Sequence, residues 1–237
     1  MTVLILGTVV FAVLFAGFSA LGVWQVRRLA WKQELIRQVD ARIHAAPVAA
    51  PPPEQVITRQ ADQYRRVVVS GRFDHRDEVL VKAVTDLGPG YWVVTPLTTD
   101  RGFTVLINRG FVPSERQQPT DRAAGQIDGE VRVVGLLRLS EPGGGFLRAN
   151  DPTGGRWFSR DVAGIAEVKG LQGAVAAYFI DADVTPNPGG WPRGGLTVVR
   201  FANSHLIYAL TWLGLALMSA AGFVLFTREE RRRRAWR

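Results

Sequence analysis

Two long stretches without a single charge constrain this chain more than any other feature. Val3 to Val26 and Phe201 to Thr227 contain no Asp, Glu, Lys or Arg. A helix needs roughly 20 apolar residues to cross a hydrocarbon core of about 30 Å, and each run is long enough. The pattern predicts two transmembrane helices, about residues 4–25 and 206–226. The first run differs from a cleaved signal. No basic residue precedes it, and GVWQVRR offers no small-x-small cleavage site. An uncleaved anchor is expected. No Arg- and Ser-rich transit segment precedes it, which points to a bacterial plasma (inner) membrane.

Charge then sets the expected topology. The chain carries a formal net charge of +8. Half of that sits in the last ten residues, REERRRRAWR, a juxtamembrane basic patch of the kind that stays cytoplasmic beside anionic lipid. The remainder is nearly balanced, which excludes a basic nucleic-acid-binding domain. Two spans place both termini on the cytoplasmic side and the middle of the chain in the periplasm. Arg27, Arg28, Lys32 and Arg37 then lie outside, which a long translocated connection tolerates. The absence of cysteine excludes disulfides, thiolate metal sites and Cys redox chemistry.

Between the spans the periodicity changes twice. Leu29, Leu35, Ile36, Val39 and Ile43 recur at helical spacing, and PVAAPPP reads as a short stiff linker. From Tyr64 the chain reads as strands: YRRVVVSGRFD, DEVLVKAV, GYWVVTPLTT, FTVLINRGFV, GEVRVVGLLRL, AAYFIDADV and LTVVR. PSERQQPTDRAAGQIDG reads as an exposed polar loop. SRDVAGIAEVKG reads as one helix with Ser159 as N-cap. Strand following strand with short links predicts an antiparallel β-rich domain, a barrel or sandwich, with one or two helices. The expected organisation is a transmembrane helix (1–26), a helical extension (27–46), a Pro-rich linker (47–63), a β-rich periplasmic domain (64–204), a second transmembrane helix (205–227) and a basic cytoplasmic tail (228–237).

No Walker loop, HExxH or nucleophile–base pattern is present, so enzymatic chemistry is not expected. The informative histidine is His205, at the mouth of the second span, because an ionisable residue at a membrane boundary is a functional candidate. At 100° per residue, His205, Tyr208 and Trp212 fall within about 60° of one another. So do Trp24, Arg28 and Trp31, with Gln25 and Lys32 on the adjoining edge. An imidazole and aromatic rings opposite guanidinium and ammonium groups suit a haem, with His205 on the iron and basic groups on the propionates. An aromatic belt with snorkelling basic residues accounts for the same residues.

Taken together, LGVWQVRRLAWKQELI, YRRVVVSGRFDH, GYWVVTPL, INRGFVPSER, RLSEP…NDP…RWFSRD, AYFIDAD, PGGWPRGG and NSHLIYALTW resemble, in this order, the Surfeit locus protein 1 family (Shy in yeast). These are assembly factors of cytochrome c oxidase. The resemblance implies a non-enzymatic membrane protein with its β domain in the periplasm. It would bind haem a transiently and assist its insertion into oxidase subunit I, with haem a synthase as a possible donor. His205 becomes the candidate axial ligand. Tyr208, Trp212, Trp24, Gln25 and Arg28 become its candidate surroundings. Gly22, Trp31, Lys32, Gly71, Asn108, Arg109, Gly110, Trp157, Phe158 and Thr211 match other motif positions. The alternative is a scaffold that stabilises an early oxidase intermediate without touching haem.

Overall fold

The computed structural model describes residues 2–145, 147–199, 201 and 203–235. Arg200 of the expected strand LTVVR, and Trp236 and Arg237 of the tail, lie outside them. The chain divides into two units, Met1–Gln38 with Arg200–Arg237, and Val39–Val199.

The first unit is a helix pair. α1 spans Thr2–His44, its last residues belonging to the second unit, and α4 spans His205–Ala235. Both are long and apolar enough to cross a membrane. They run antiparallel with a seven-residue beat. Phe11, Phe18 and Gln25 on α1 meet Phe226, Trp212 and His205 on α4. A heptad drifts only about 20° around a helix, so such residues stay on one seam. The Phe18 and Trp212 rings stack with centroids 5.8 Å apart. Gly222 leaves room for the Phe11 ring, since a Cβ there would lie 2.8 Å from it.

The second unit is a β-rich domain. Its strands are β1 (Val48–Ala49), β2 (Arg66–Phe73), β3 (Val79–Thr85), β4 (Gly88–Thr99), β5 (Thr104–Pro113), β6 (Glu130–Leu139), β7 (Gly144–Gly145), β8 (Arg148–Ala149) and β9 (Val175–Ala182). Two short helices, α2 (Arg59–Asp62) and α3 (Val162–Val168), accompany them. The order β1-β2-β6-β9-β5-β4-β3, with a further β2–β4 pairing, closes β2, β6, β9, β5 and β4 into a five-stranded barrel. Alternate residues fill it, among them Val67, Val69, Leu97, Val105, Ile107, Leu137 and Ile180. Every residue of β5 from Thr104 to Val112 is buried. The outer face of the strand is covered as well, with Leu106 packing among Trp157, Val162 and Ile165. Gly71 permits closure, because a Cβ there would meet the Thr98 carbonyl oxygen at 2.2 Å.

Three expectations need correction. The sheet is not purely antiparallel: β5 pairs parallel with β9, and β1 parallel with β2. A parallel pair requires a long crossover, and between β5 and β9 the chain travels through β6, β7, β8 and α3. LTVVR is not a strand over its described residues 196–199. The N-cap of α3 is Asp161, whose carboxylate accepts from the Gly164 backbone N–H, rather than Ser159. Ser159 instead donates its hydroxyl to the Glu141 carbonyl.

Candidate functional site

In the helix pair, Gln25 is buried at 8% exposure and His205 is half-buried. The Gln25 Oε1 and His205 Nδ1 atoms are 2.8 Å apart. A carbonyl oxygen only accepts, so Nδ1 carries the proton and the Nε2 lone pair stays free. Nε2 makes no hydrogen bond to any described residue. An imidazole whose other nitrogen is held by a fixed acceptor is how proteins orient a metal-binding histidine. Chemically, this imidazole suits one axial position on an iron.

The neighbouring levels of the seam continue this environment. Above the pair, Lys32 Nζ lies 5.7 Å from the Phe201 ring centre. Below it, the Gly22 position approaches the Trp212 Cβ. The indole Nε1 of Trp212 is buried without a hydrogen-bond partner among the described residues.

Of the haem candidates, the structure joins His205 and Gln25 directly, while Trp212 packs against Phe18 and Gly22 one heptad along α4. Trp24 is 56% exposed and Tyr208 52%. Arg28 is exposed, and its guanidinium stacks 4.1 Å over the equally exposed Trp31. The face of Trp24, Arg28 and Trp31 expected from helical angles is therefore not the one packed against α4. The seam follows the adjoining edge, because residues 11, 18, 25 and 32 recur at the heptad interval. That signal was present in the sequence, and Phe11 and Phe18 are the residues the angular reading missed. Thr211 turns its hydroxyl back to the Ile207 carbonyl at 2.9 Å.

In the barrel domain the motif residues build two buried charge clusters. Asn108 and Arg109 sit side by side on β5 and serve different ones. The Asp181 carboxylate accepts from Asn108 Nδ2 at 2.7 Å, Arg138 at 2.7 Å, Arg160 at 3.2 Å and Thr197 Oγ1 at 2.9 Å. Arg160 also donates to Glu141 at 2.8 and 3.0 Å. Burial penalises the Arg160 guanidinium, but these carboxylates outweigh it and hold its pKa above the usual value. Four donors saturate Asp181, so the cluster ties β5, β6, β9 and the segment around Thr197 together.

Arg109 is 1% exposed. It donates to the Gly125 carbonyl, to Asn187 Oδ1 at 3.3 Å and to His75 Nδ1 at 3.4 Å. Its nearest carboxylate, Glu78, is 3.8 Å away and is taken more closely by Arg122 at 2.6 Å. Burial, partly offset by Glu78, lowers the Arg109 pKa to about 10, so it remains charged at neutral pH. Arg122 overturns another expectation. It lies in the stretch read as an exposed polar loop, yet its side chain is fully buried. The partner is 44 residues away, which no local pattern reveals.

Gly110 adopts φ +130°, and a Cβ there would lie 2.2 Å from the Arg193 carbonyl. Trp157 is buried against α3, and Phe158 lies between the Lys82 and Arg148 cations. Among the described residues no three His, Asp or Glu side chains converge on a metal-sized site.

A β-barrel domain flanked in sequence by two long apolar helices, one carrying a boundary histidine clamped by the other, defines a narrow class of protein. The model of the SURF1 family matches residues 12–217, and the chain belongs to that family. Surfeit locus protein 1 of Mus musculus is 37% identical over 228 residues, 90% of this chain and 72% of that protein. The Homo sapiens protein is 38% identical over 213 residues, covering 83% and 69%. The Takifugu rubripes protein is 34% identical over 225 residues, covering 88% and 90%. None of these names is that of an enzyme.

Proposed function

We propose that this chain is a non-enzymatic assembly factor for a haem-copper terminal oxidase. It holds haem a transiently on His205 and assists its insertion into oxidase subunit I. The observation that carries this reading is the Gln25–His205 hydrogen bond, which leaves Nε2 as a free, oriented donor to iron. The residues present fit the group. His205 would take one axial position. Trp212 and Phe18 supply an aromatic wall, and Lys32, on the seam one heptad from Gln25, provides a cation for a propionate. When bound, the haem supplies only its iron and its charge, since this chain carries it as cargo.

A single histidine ligand suits transfer. A chaperone must bind its cargo more weakly than the final site does, and among the described residues His205 is the only histidine on the helix pair's seam. The two helices anchor the site in the plasma membrane, with both termini cytoplasmic and the barrel domain periplasmic. Haem a synthase, in the same membrane, is the natural donor. The barrel domain, with its charges paired internally, serves as a recognition surface rather than a catalyst.

The test is co-expression with the haem a synthesis enzymes, purification in mild detergent, and a reduced-minus-oxidised spectrum beside His205→Ala. A haem a band that shifts or vanishes in the variant supports the reading. Haem in neither protein favours the non-haem scaffold. Equal haem in both removes His205 from the site.

A further inference from the structure

One buried charge of the barrel domain is left over by the internal pairing of the rest. Arg109, Arg122 and Glu78 form a group whose side chains have almost no exposure. Two guanidiniums share one carboxylate, so one positive charge is in excess. Arg122 holds both Glu78 oxygens, at 2.6 and 3.2 Å. The other contacts of Arg109 are neutral: the Gly125 carbonyl, Asn187 Oδ1 and His75 Nδ1. His75 Nε2 faces the Ile127 carbonyl at 3.0 Å and so carries the proton, which leaves Nδ1 to accept from Arg109. The Arg109 Nε has no acceptor among the described residues. A charge withdrawn from water without its own counter-ion is costly to the fold.

The backbone aims this charge. Val94 pairs with Asn108 and Val93 with Gly110, so Arg109 stands opposite no residue of β4. Such a bulge re-aims a side chain out of the regular alternation. Asn108 joins the Asp181 cluster, whereas the Arg109 guanidinium lies 4.7 Å over the Phe73 ring. Phe73, Val131, Val133 and Ala182 pack against the barrel core. β2 ends at Phe73, β9 ends at Ala182 and β6 begins at Glu130, so these residues gather at one end of the barrel. With Ile107 and Arg109 they line a cavity of about 380 Å³. A barrel mouth is a common place for a ligand, and this volume is in the range that small molecules occupy. Two further charges line the cavity. Asp183 lies 3.9 Å from Arg66 and accepts from the Thr185 N–H at 3.0 Å. Arg132 is exposed and joins no ion pair among the described residues. The balance facing the cavity stays positive.

We infer that this end of the barrel is a binding site for a small amphipathic carboxylate, its anionic head toward Arg109 and its aliphatic body against Phe73, Val131, Val133 and Ala182. The excess charge calls for an anion, and a planar guanidinium suits a carboxylate. The apolar walls call for an apolar body. An inorganic anion satisfies only the first demand and a neutral alcohol only the second. Burial strengthens the attraction, because a low-dielectric surrounding screens it little. The site lies wholly within the barrel unit, so it stands whether or not His205 holds haem.

The test is calorimetric titration of the full chain in mild detergent with four water-soluble probes: hexanoate, hexanol, hexylammonium and acetate. A detergent blank measures partition into micelles. Hexanoate is expected to bind one site about tenfold or more tighter than hexanol, the worth of a hydrogen bond to a charged group. Hexylammonium and acetate are expected to show no saturable binding. Ala182→Leu fills the cavity with the charge intact and is expected to lose most of the hexanoate affinity. Arg109→Gln removes the charge and is expected to bring hexanoate down to the level of hexanol. The unfolding transition of the β domain without probe reports whether each variant is folded, and the four probes on wild type decide the matter even if one is not. The inference falls if no probe binds, if hexanol, hexylammonium or acetate matches hexanoate on wild type, or if folded Ala182→Leu keeps its hexanoate affinity.

Discussion

Gln25 Oε1 lies 2.8 Å from His205 Nδ1, across 180 residues of sequence. The contact fixes which imidazole nitrogen is protonated and how the ring is turned. Gln25→Leu is predicted to weaken haem retention by about 10–100-fold, the usual cost of losing a partner behind a metal ligand. Gln25→Glu keeps an acceptor, makes the imidazole more electron-rich and is predicted to retain haem with a lowered midpoint potential. Haem titration and redox potentiometry of the two variants check this. If Gln25→Leu binds as wild type does, the contact is only helix packing.

Arg122 and Arg109 share Glu78, but unequally. Arg122 reaches it at 2.6 Å and Arg109 only at 3.8 Å. Removing one member of a buried ion pair typically costs about 3–5 kcal/mol. Arg122→Ala is predicted to fall in that range and Arg109→Ala below it, because Glu78 keeps its closer partner when Arg109 is lost. Denaturant unfolding of the full chain, followed by a β-domain signal, measures both. The opposite ranking would show that Arg109 neutralises Glu78.

Two glycines that match family motifs are predicted to respond differently to alanine. Gly110 holds φ +130°, and an alanine methyl there would stand 2.2 Å from the Arg193 carbonyl, so Gly110→Ala requires the 193–194 segment to move. The conformational strain alone is about 1–3 kcal/mol. At Gly22 the same methyl would sit 3.7 Å from the Trp212 Cβ, an ordinary contact. Gly22→Ala is predicted to leave stability and haem binding near wild type. Thermal unfolding of both variants reads the contrast.

Tyr178 reaches out of the barrel core to donate its hydroxyl to the Pro51 carbonyl at 2.6 Å. Burial raises the phenol's pKa, so it stays a donor across the working pH range. Tyr178→Phe is predicted to cost about 1–3 kcal/mol, the loss of one buried hydrogen bond with its acceptor left orphaned. Proteolysis after Arg59 or Arg65 is expected to quicken if this bond pins the preceding proline segment, and unchanged cleavage would place the anchoring in the β1–β2 pairing instead.

The architecture was legible in sequence where the signal is local. Charge-free runs marked the two long helices, and alternating Val, Phe and Tyr marked most of the strands. LTVVR shows the limit, since β-branched residues suit an extended chain whether or not a neighbouring strand is there to pair with it. The parallel β5–β9 pair was not legible either, because strand direction depends on where a crossover returns. In the helix pair, angular arithmetic grouped Trp24 with Arg28 and Trp31. It could not say which edge of α1 would face α4.

By itself the sequence determined the family, the two apolar helices, the β-rich domain between them in the chain and the prominence of His205. All of these rest on composition, periodicity and ordered short motifs, which are properties of neighbouring residues. The tertiary structure decided the rest: Gln25 rather than Trp24 meets His205, Arg122 is buried on Glu78, and Asn108 and Arg109 serve different charge clusters. Each depends on a partner tens of residues or more away. A polar or charged side chain is stable in a buried place only when that partner arrives, and only the folded chain specifies which one does.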